Sequence, residues 1–304
     1  MIYFIKKFIL LLSLTATTMV YAESKIIAFA QDTMGNDFRK AQVYEVRDAA
    51  AKHSGLKFVY SDAKGQTALL IRHINGFIDS KVDLIVVGTN DEKAVVPVIA
   101  KAQKSGIPVI ILDRGIQGDE YTTFINSDNL KIGEMGAKYI AKRLKGKGKV
   151  LLFEGLQKAD VTKLRSKGFM DEIAKHKGIG VIKRTGNYLR KDAIVEMEKL
   201  IASGEKVDAI FSESDSMLSG VRSAMLHHSI DPSTFITVGC DYTSEARDAI
   251  RSGSQSGSIL FPLGGKKTVE TALKIFKGER VPKHIVIPVK LVTKENVEKE
   301  MPIF

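Results

Sequence analysis

The chain has 304 residues, of which 44% are hydrophobic and 27% charged, and this composition excludes a disordered or fibrous protein. A chain of this length predicts two hydrophobic cores, because single cores rarely grow beyond about 250 to 300 residues; Cys240, the only cysteine, excludes an intramolecular disulfide and a cysteine-based zinc site. The formal net charge of +11 fits an anionic partner as well as lysines scattered over exposed helices, so by itself it does not distinguish the two.

The first 22 residues have the features of a secretory signal peptide. Lys6 and Lys7 precede an apolar run over residues 8–20, and Val20-Tyr21-Ala22 presents small residues at the two cleavage-defining positions. The run is about 13 residues long, whereas a membrane-spanning helix needs roughly 20. We therefore expect a periplasmic protein whose signal peptide is cleaved after Ala22.

Beyond this segment, apolar runs of strand length alternate with segments of helical periodicity. Most of the runs are continuous and rich in β-branched residues, as is typical of strands buried on both faces of a parallel sheet. In chain order, the sequence predicts strands at residues 26–30, 57–60, 84–87, 109–112, 122–125, 150–153, 181–183, 209–211, 236–238, 257–260 and 285–291. Between them it predicts helices at residues 37–53, 67–80, 93–105, 130–144, 163–176, 192–203, 217–228, 244–251 and 267–276.

The repeated order of strand and helix predicts an α/β fold class. Each repeat of about 25 to 30 residues corresponds to a βαβ unit with a right-handed crossover. Both halves of the chain carry the pattern, and one sheet containing every predicted strand would be unusually wide. We therefore predict two Rossmann-like, doubly wound parallel-sheet lobes.

Polar and aromatic residues that follow the strands are candidates for a ligand-binding site, because open α/β sheets bind ligands beyond the carboxyl ends of their strands. The candidates are Gln31, Asp32, Asn36, Asp37, Phe38, Arg39, Asp113, Arg114, Arg165, Tyr188, Ser214, Asp215 and Asp241. For Asp215, as for Ser127 and Asp128, helix capping is an equally good interpretation. Arg114 has no capping role at the end of a strand, which favours a functional one.

The order and spacing of these residues resemble those of a known family of binding proteins. The matching segments are residues 29–31, 36–39, 107–114, 127–129, 165–169, 214–215 and 238–241, of which Pro-Val-x-x-x-Asp-Arg at 108–114 is the most specific. They resemble the ribose and galactofuranose type of periplasmic sugar-binding protein, the type I solute-binding family of ABC transporters. The resemblance covers nearly the whole chain after the signal peptide and implies two lobes, joined by a three-crossing hinge, that close on one sugar.

The resemblance also implies roles for individual residues. The ligand carboxylates fall on Asp113 and Asp241, the arginines on Arg114 and Arg165, and the first-lobe aromatic on Phe38, for which packing in the core is the alternative role. Arg39 matches an arginine of galactofuranose-type members, and Tyr188 falls where a second aromatic would close over the ring. Such pairs of carboxylates and guanidinium groups suit the adjacent hydroxyls of a polyol, and aromatic rings suit the apolar face of a sugar.

The expected domain boundaries follow from the same resemblance. We expect the signal peptide at residues 1–22, an N-terminal lobe formed by residues 23–126 and 261–288, and a C-terminal lobe formed by residues 127–260 and 289–304.

The sequence departs from the family pattern at three places. Ser214 stands where the family usually has Asn, and Leu260-Phe261 stands where ribose binders have Gln. Asp32 and Asp37 add carboxylates to the first loop. These departures leave open whether the ligand is a neutral sugar or polyol or a charged one, such as a sugar acid.

The predicted fold is compatible with three functions. The preferred one is an exported solute-binding protein, a monomer that closes on its ligand and delivers it to a membrane permease of an ABC transporter. The alternative keeps the fold but presents the closed form to a chemoreceptor or sensor histidine kinase. A sugar-responsive repressor would need a helix-turn-helix of about 50 residues, for which the N-terminal sequence has no pattern, so we predict no nucleic-acid partner.

The sequence does not have the motifs of the common enzyme classes. It contains no Gly-x-Ser-x-Gly, His-Glu-x-x-His or Gly-x-x-x-x-Gly-Lys-Ser/Thr pattern, so we predict no enzyme and no cofactor. His227 and His228 fall at a helix terminus, where imidazole suits the helix dipole, and we predict no metal site there.

Overall fold

The computed structural model describes residues 24–304, and the predicted signal peptide lies outside the described residues. The strands are β1 (Lys25–Gln31), β2 (Leu56–Asp62), β3 (Leu84–Gly88), β4 (Val109–Leu112), β5 (Thr123–Ser127), β6 (Lys147–Glu154), β7 (Gly178–Thr185), β8 (Ala209–Ser212), β9 (Ile236–Asp241), β10 (Gly257–Leu260), β11 (His284–Ile287) and β12 (Lys290–Thr293). The helices are α1 (Asp37–Ala50), α2 (Thr67–Asp79), α3 (Val96–Lys104), α4 (Asn129–Arg143), α5 (Asp160–Ile173), α6 (Arg190–Ala202), α7 (Asp215–His227), α8 (Ser244–Ser252) and α9 (Gly265–Phe276).

The strands form two six-stranded sheets, one in each lobe. Their orders are β11-β5-β4-β3-β1-β2 and β12-β10-β9-β8-β6-β7. All the strand pairs are parallel except β10 with β12, which run antiparallel at one edge of the second sheet. The predicted fold class, two doubly wound parallel-sheet lobes, is confirmed.

The chain crosses between the lobes three times. It passes from the first sheet to the second after β5, returns after β10, and passes again between β11 and β12. The single strand predicted at residues 285–291 is therefore wrong. The apolar run is two short strands in different sheets, and Pro288 and Val289 make the crossing. The lobe boundaries stay our proposal, which this sheet membership supports.

Burial follows the pattern that the sequence predicted for central strands. Every residue of β3 and β4 is buried, whereas the edge strands β2 and β7 consist mainly of half-buried and exposed positions. Helices cover both faces of each sheet, so the backbone groups available to a ligand are those at the strand ends. Among residues 24–304, no helix combines the length and apolarity needed to cross a membrane.

Helices α4 and α5 pack with their backbones almost in contact, and this contact places Arg165. A Cβ atom on Gly168 would lie 2.0 Å from the Leu130 carbonyl oxygen, and one on Gly133 would lie 2.0 Å from the Arg165 carbonyl oxygen. Neither position has room for a side chain. The close approach lets Asn129, the first residue of α4, accept a 2.9 Å hydrogen bond from Arg165 Nε on α5.

The substitution Gly168→Ala is expected to destabilise the protein by about 1 to 3 kcal/mol, because the added methyl group must push α4 and α5 apart. The matched control is Gly76→Ala in α2, where the added Cβ meets no atom within 4 Å. That change should stabilise the protein by about 0.5 to 1 kcal/mol, since alanine is the better helix former. Urea unfolding of both variants measures the difference, and equal effects of the two changes would contradict the assigned packing.

Candidate functional site

A narrow cavity lies between the two lobes at the carboxyl ends of their strands. Its lining residues are Asn36, Phe38, Arg39, Asp113, Arg114, Val161, Arg165, Tyr188, Ser214, Ser216, Asp241 and Phe261.

Most of the site residues predicted from sequence line this cavity. They are Asn36, Phe38, Arg39, Asp113, Arg114, Arg165, Tyr188, Ser214 and Asp241. The other predicted residues, Gln31, Asp32, Asp37 and Asp215, are not among the lining residues. Whether any of them contacts a ligand stays a prediction.

The first lobe contributes a buried cluster of alternating charges. Arg39 Nη1 lies 3.0 Å from Asp113 Oδ2, and Arg114 Nη1 lies 3.2 Å from Asp32 Oδ2. Asp32 Oδ1 is also 3.5 Å from Arg39 Nε, so Asp32 sits behind both guanidinium groups and compensates them. Burial lowers the pKa of Arg114, as does the like charge of Arg39, and Asp32 and Asp113 oppose that fall. Asp32 therefore orients the arginines from outside the cavity lining.

Four buried polar atoms of this cluster lack hydrogen-bond partners within the described chain. Asp32 Oδ1 and Arg39 Nε face each other at 3.5 Å as an ion pair, which leaves Asp113 Oδ1, an acceptor, and Arg114 Nε, a donor. Both side chains line the cavity and are less than a tenth exposed. Because an unsatisfied buried polar atom costs free energy, this neighbouring acceptor and donor would be satisfied by a ligand that offers both hydrogen-bonding roles.

Three residues that line the cavity have a positive φ. Asp113 has φ of 72°, Tyr188 of 61° and Asp241 of 110°, although none of them is glycine. Asp113 directly follows β4, and Asp241 is the last residue of β9. Such strain persists only where the surrounding structure imposes it, and it is typical of functional sites.

The second lobe supplies Arg165 and Asp241. Arg165 is fixed on the side away from the cavity, because its Nη1 donates to the Glu213 carbonyl oxygen at 2.7 Å. Burial raises the pKa of Asp241 well above its usual value, and the positive charge of Arg165 opposes the rise only in part. The ionised form of Asp241 is therefore destabilised by its burial.

Asp215 has a structural role in the second lobe. Its carboxylate accepts hydrogen bonds from Ser258 Oγ at 2.6 Å, Gln255 Nε2 at 2.9 Å and the Tyr242 amide at 2.7 Å. Burial raises its pKa to about 6, while the hydrogen bond from Ser258 is the largest effect in the opposite direction. These bonds tie the start of α7 to β10 and to the loop after Asp241, so Asp215 acts behind the cavity wall.

The two remaining predicted residues lie beside the cavity. Asp37 Oδ2 accepts a 3.1 Å hydrogen bond from Ser216 Oγ, which is a contact between the lobes at the rim. Gln31 is fully buried, and its Nε2 donates to Gln42 Oε1 at 3.3 Å.

Aromatic side chains from both sides face the cavity. Phe38 stacks on Phe261 with ring centroids 5.1 Å apart, and the Arg165 guanidinium lies 4.6 Å from the Phe261 centroid. Tyr188, from the second lobe, lies 5.4 Å from the Arg114 guanidinium of the first. Phe261 was noted in the sequence as a departure from the family pattern, but it was not selected as a site residue.

Three lining residues were missed by sequence reasoning: Val161, Ser216 and Phe261. Val161 is aliphatic, so a search for polar and aromatic residues after strands passes over it. Phe261 directly follows β10 and meets that criterion, so its position after the strand is the signal that could have found it. Ser216 lies in the first turn of α7, where a serine looks like an ordinary helix residue.

The described residues bring one potential metal-binding group together. Glu198 on α6 joins His227 and His228 at the end of α7, with His227 Nδ1 3.7 Å from Glu198 Oε1. Both histidines are exposed, and none of the three residues lines the cavity between the lobes.

Comparison with known proteins adds a family to this geometry. The family model described as periplasmic binding protein domain matches residues 27–280. The ribose import binding protein of Bacillus subtilis (strain 168) is 31% identical over 81% of this chain and 80% of its own. An ABC transporter solute binding protein from Bacillus halodurans with bound myo-inositol is 26% identical, with a TM-score of 0.86 over 91% of this chain and 97% of its own. The fructose binding periplasmic domain of a hybrid two component system is 26% identical, with a TM-score of 0.84 over 90% of this chain and 92% of that domain.

The substitution Asp241→Asn is expected to raise the thermal stability of the ligand-free protein at pH 7 by several degrees, because it removes a destabilised buried charge. The folded-state pKa of Asp241 is raised, so the wild type loses stability as the pH rises above the ordinary aspartate pKa of about 4. The advantage of the variant should therefore grow with pH and vanish below about pH 4. Thermal unfolding from pH 3.5 to 8 measures it, and a variant less stable than wild type at pH 7 would refute the assignment.

Proposed function

The chain belongs to the periplasmic binding protein family, and on that premise we propose that it captures a neutral sugar or polyol between its lobes and delivers it to an ABC-type membrane transporter. Members of the family are binding proteins, and we propose no catalytic activity for this chain. The observation that carries the proposal is the unsatisfied acceptor of Asp113 beside the unsatisfied donor of Arg114 on the cavity wall.

Charge balance favours a neutral ligand. Arg39, Arg114 and Arg165 face the cavity, with Asp113 beside them and Asp32 behind. A ligand hydroxyl that donates to Asp241 favours the ionised form of that buried carboxyl group, and the three positive charges are then offset by three carboxylates. An anionic sugar acid would leave a surplus negative charge in a closed site, which is costly. A hydroxyl group both donates and accepts, so a polyol satisfies the carboxylates and the guanidinium groups without adding charge.

The aromatic side chains suit the remaining surface of such a ligand. A cyclic sugar or polyol has an apolar face of C–H groups, which packs on an aromatic ring. Phe38 and Tyr188 supply rings from opposite lobes, and Phe261 supplies one at the end of β10, where the chain crosses between them.

Closure of the lobes is the proposed mechanism of capture. The lobes already touch at the rim, where the Gly115 amide donates to Asp160 Oδ2 at 2.8 Å and Asn36 Nδ2 donates to the Tyr188 carbonyl oxygen at 3.4 Å. A ligand that contacts arginines and carboxylates of both lobes binds the closed state better than the open one, and it shifts the population accordingly. The membrane partner then recognises the closed form.

The partner and compartment are proposed from the relatives. Relatives named as import and ABC transporter binding proteins favour a permease, and family membership implies a periplasmic location. The likeness to a domain of a two component system supports the alternative, a sensor kinase or chemoreceptor that reads the same closed form. Cleavage after Ala22 and a monomeric state complete the proposal.

A thermal-shift screen tests the ligand class. Neutral pentoses, hexoses, inositols and acyclic polyols are compared with matched uronic acids and amino sugars, and at least one neutral compound should raise the melting temperature by mass action. The matched charged compounds should produce a smaller shift or none. A shift that is largest for a sugar acid or an amino sugar would overturn the charge argument.

Alanine substitutions test the residues. Asp113→Ala or Arg114→Ala should each weaken binding of the compound identified in the screen by about 2 to 5 kcal/mol, because the remaining buried charges lose their partners. The matched control is Asp48→Ala, since Asp48 lies on the exposed side of α1 and, among residues 24–304, forms its ion pair with exposed Arg47. Calorimetric titration should show unchanged affinity for the control; wild-type affinity in the Asp113 and Arg114 variants would refute the site.

A further inference from the structure

Two buried carboxyl groups behind the cavity wall of the second lobe share one hydroxyl group. Ser166 Oγ lies 2.8 Å from Glu154 Oε1 and also 2.8 Å from Glu213 Oε1. Glu213 follows β8, Glu154 ends β6, and Ser166 lies on α5 beside Arg165. None of the three lines the cavity.

The protons of this arrangement can be counted. A serine hydroxyl carries one hydrogen, so it can donate to only one of the two carboxyl groups. If both were ionised, the second would face an oxygen lone pair at 2.8 Å with no proton between them. The geometry therefore requires one carboxyl group to carry a proton and to donate it to Ser166 Oγ.

The surroundings identify Glu213 as the protonated group. Lys183 Nζ lies 2.9 Å from Glu154 Oε1, so the ionised form of Glu154 has a partner. Glu213 is fully buried, and its carboxyl oxygens contact neutral groups: the Gly155 amide at 2.8 Å, the Tyr188 hydroxyl at 3.3 Å and Ser166. A buried carboxyl group that lacks a bonded cation favours its neutral form.

Glu213 also holds two residues of the cavity wall. Its carboxyl group accepts a hydrogen bond from the Tyr188 hydroxyl, and its carbonyl oxygen accepts the 2.7 Å bond from Arg165 Nη1. Tyr188 has little freedom otherwise, since a Cβ on Gly155 would lie 1.9 Å from its Cζ. A change at Glu213 is therefore transmitted to both lining side chains.

We propose that Glu213 is a positioning residue, held in its protonated form, and that the proton it shares with Ser166 keeps Tyr188 and Arg165 in place on the cavity wall. Loss of that proton would set a second negative charge beside Glu154 and leave Ser166 with one hydrogen for two carboxylates. Repulsion between the two glutamates would then displace Glu213, and with it the Tyr188 hydroxyl and the Arg165 guanidinium that bond to it, as the pH rises. The effect of Glu213 on ligand binding rests on the proposed ligand site, whereas the protonation of Glu213 does not depend on it.

The charged and titratable groups that face Glu213 set the pH range. Burial raises the pKa of Glu213 to about 7; the Gly155 amide, Arg165 and Ser166 oppose the rise and Glu154 adds to it. Tyr188 and the Cys240 thiol face it as well, and burial keeps both neutral by raising the pKa of each. Because the pKa of Glu213 is raised in the folded protein, its stabilising effect is present at acidic pH and is lost as the pH rises through about 7.

Nuclear magnetic resonance of the ligand-free protein tests the proposal without any assumption about the sugar. Tyrosine labelled with ¹³C at Cζ reports the hydroxyl environment, and the Tyr188 signal is assigned with Tyr188→Phe. In the wild type this signal should shift with a midpoint near pH 7. In Glu213→Gln, which keeps the shape of the protonated acid, the shift near neutral pH should vanish.

Two further variants make the result specific. Glu154→Gln should lower the midpoint, because it removes the neighbouring negative charge and frees Ser166 to donate to Glu213. Glu172→Gln should leave the midpoint unchanged. Glu172 on α5 is about as buried as Glu154, but its carboxylate pairs with Lys175 at 2.6 Å and does not contact Ser166 or Glu213 among the described residues. In thermal unfolding, the wild type should lose stability relative to Glu213→Gln between about pH 4.5 and 7.

Two results would overturn the proposal. One is a Tyr188 signal that does not titrate in the wild type between pH 5 and 9, and the other is a titration that persists in Glu213→Gln. Should Glu213→Gln fail to fold, the Glu154→Gln midpoint decides, because a midpoint equal to that of the wild type excludes a shared proton. Failure of the sugar screen leaves all these measurements intact, so the two proposals fail separately.

Discussion

Burial of guanidinium groups between the lobes is the constraint on which the rest of the site depends. A buried arginine is tolerated only where carboxylates or carbonyl oxygens compensate it. In the first lobe Asp32 compensates Arg39 and Arg114 together, and in the second Asn129 and the Glu213 carbonyl oxygen hold Arg165. These partners approach from the protein side, so the guanidinium groups reach the cavity already oriented and a ligand need not order them.

The strand-end rule, together with the family resemblance, was enough to select most of the residues that line the cavity. Asp113 follows a buried strand, Asp241 ends one, and Arg114 has no simpler role there, so their position in a doubly wound fold follows from the sequence. The rule could not say which way a side chain points. Asp32 and Asp215 also stand at strand ends or helix starts, but their carboxylates are taken up by Arg114 and by Ser258, which are distant in sequence. Only tertiary structure brings those partners to them.

Other features left no local signal. Glu213 stands between two serines in a polar stretch, and nothing nearby in sequence indicates that Ser166 and Glu154 enclose it. The apolar run from residue 285 to 291 has the composition of one strand, and that composition would suit either sheet. Its division into β11 and β12 is fixed by which sheet edge each half can reach, and Pro288, which restricts φ and lacks an N–H, marks the break only in retrospect.

The brevity of that last crossing has an evolutionary consequence. Residues 288 and 289 lie outside the cavity lining, yet they connect edge strands of both sheets and must move when the lobes separate. Apparent affinity equals intrinsic affinity weighted by the fraction of molecules that are competent to bind. Substitutions at this connection could therefore raise or lower the working concentration range of the protein while leaving its choice of ligand untouched. Selection can in this way change the apparent affinity of the protein and its ligand specificity independently.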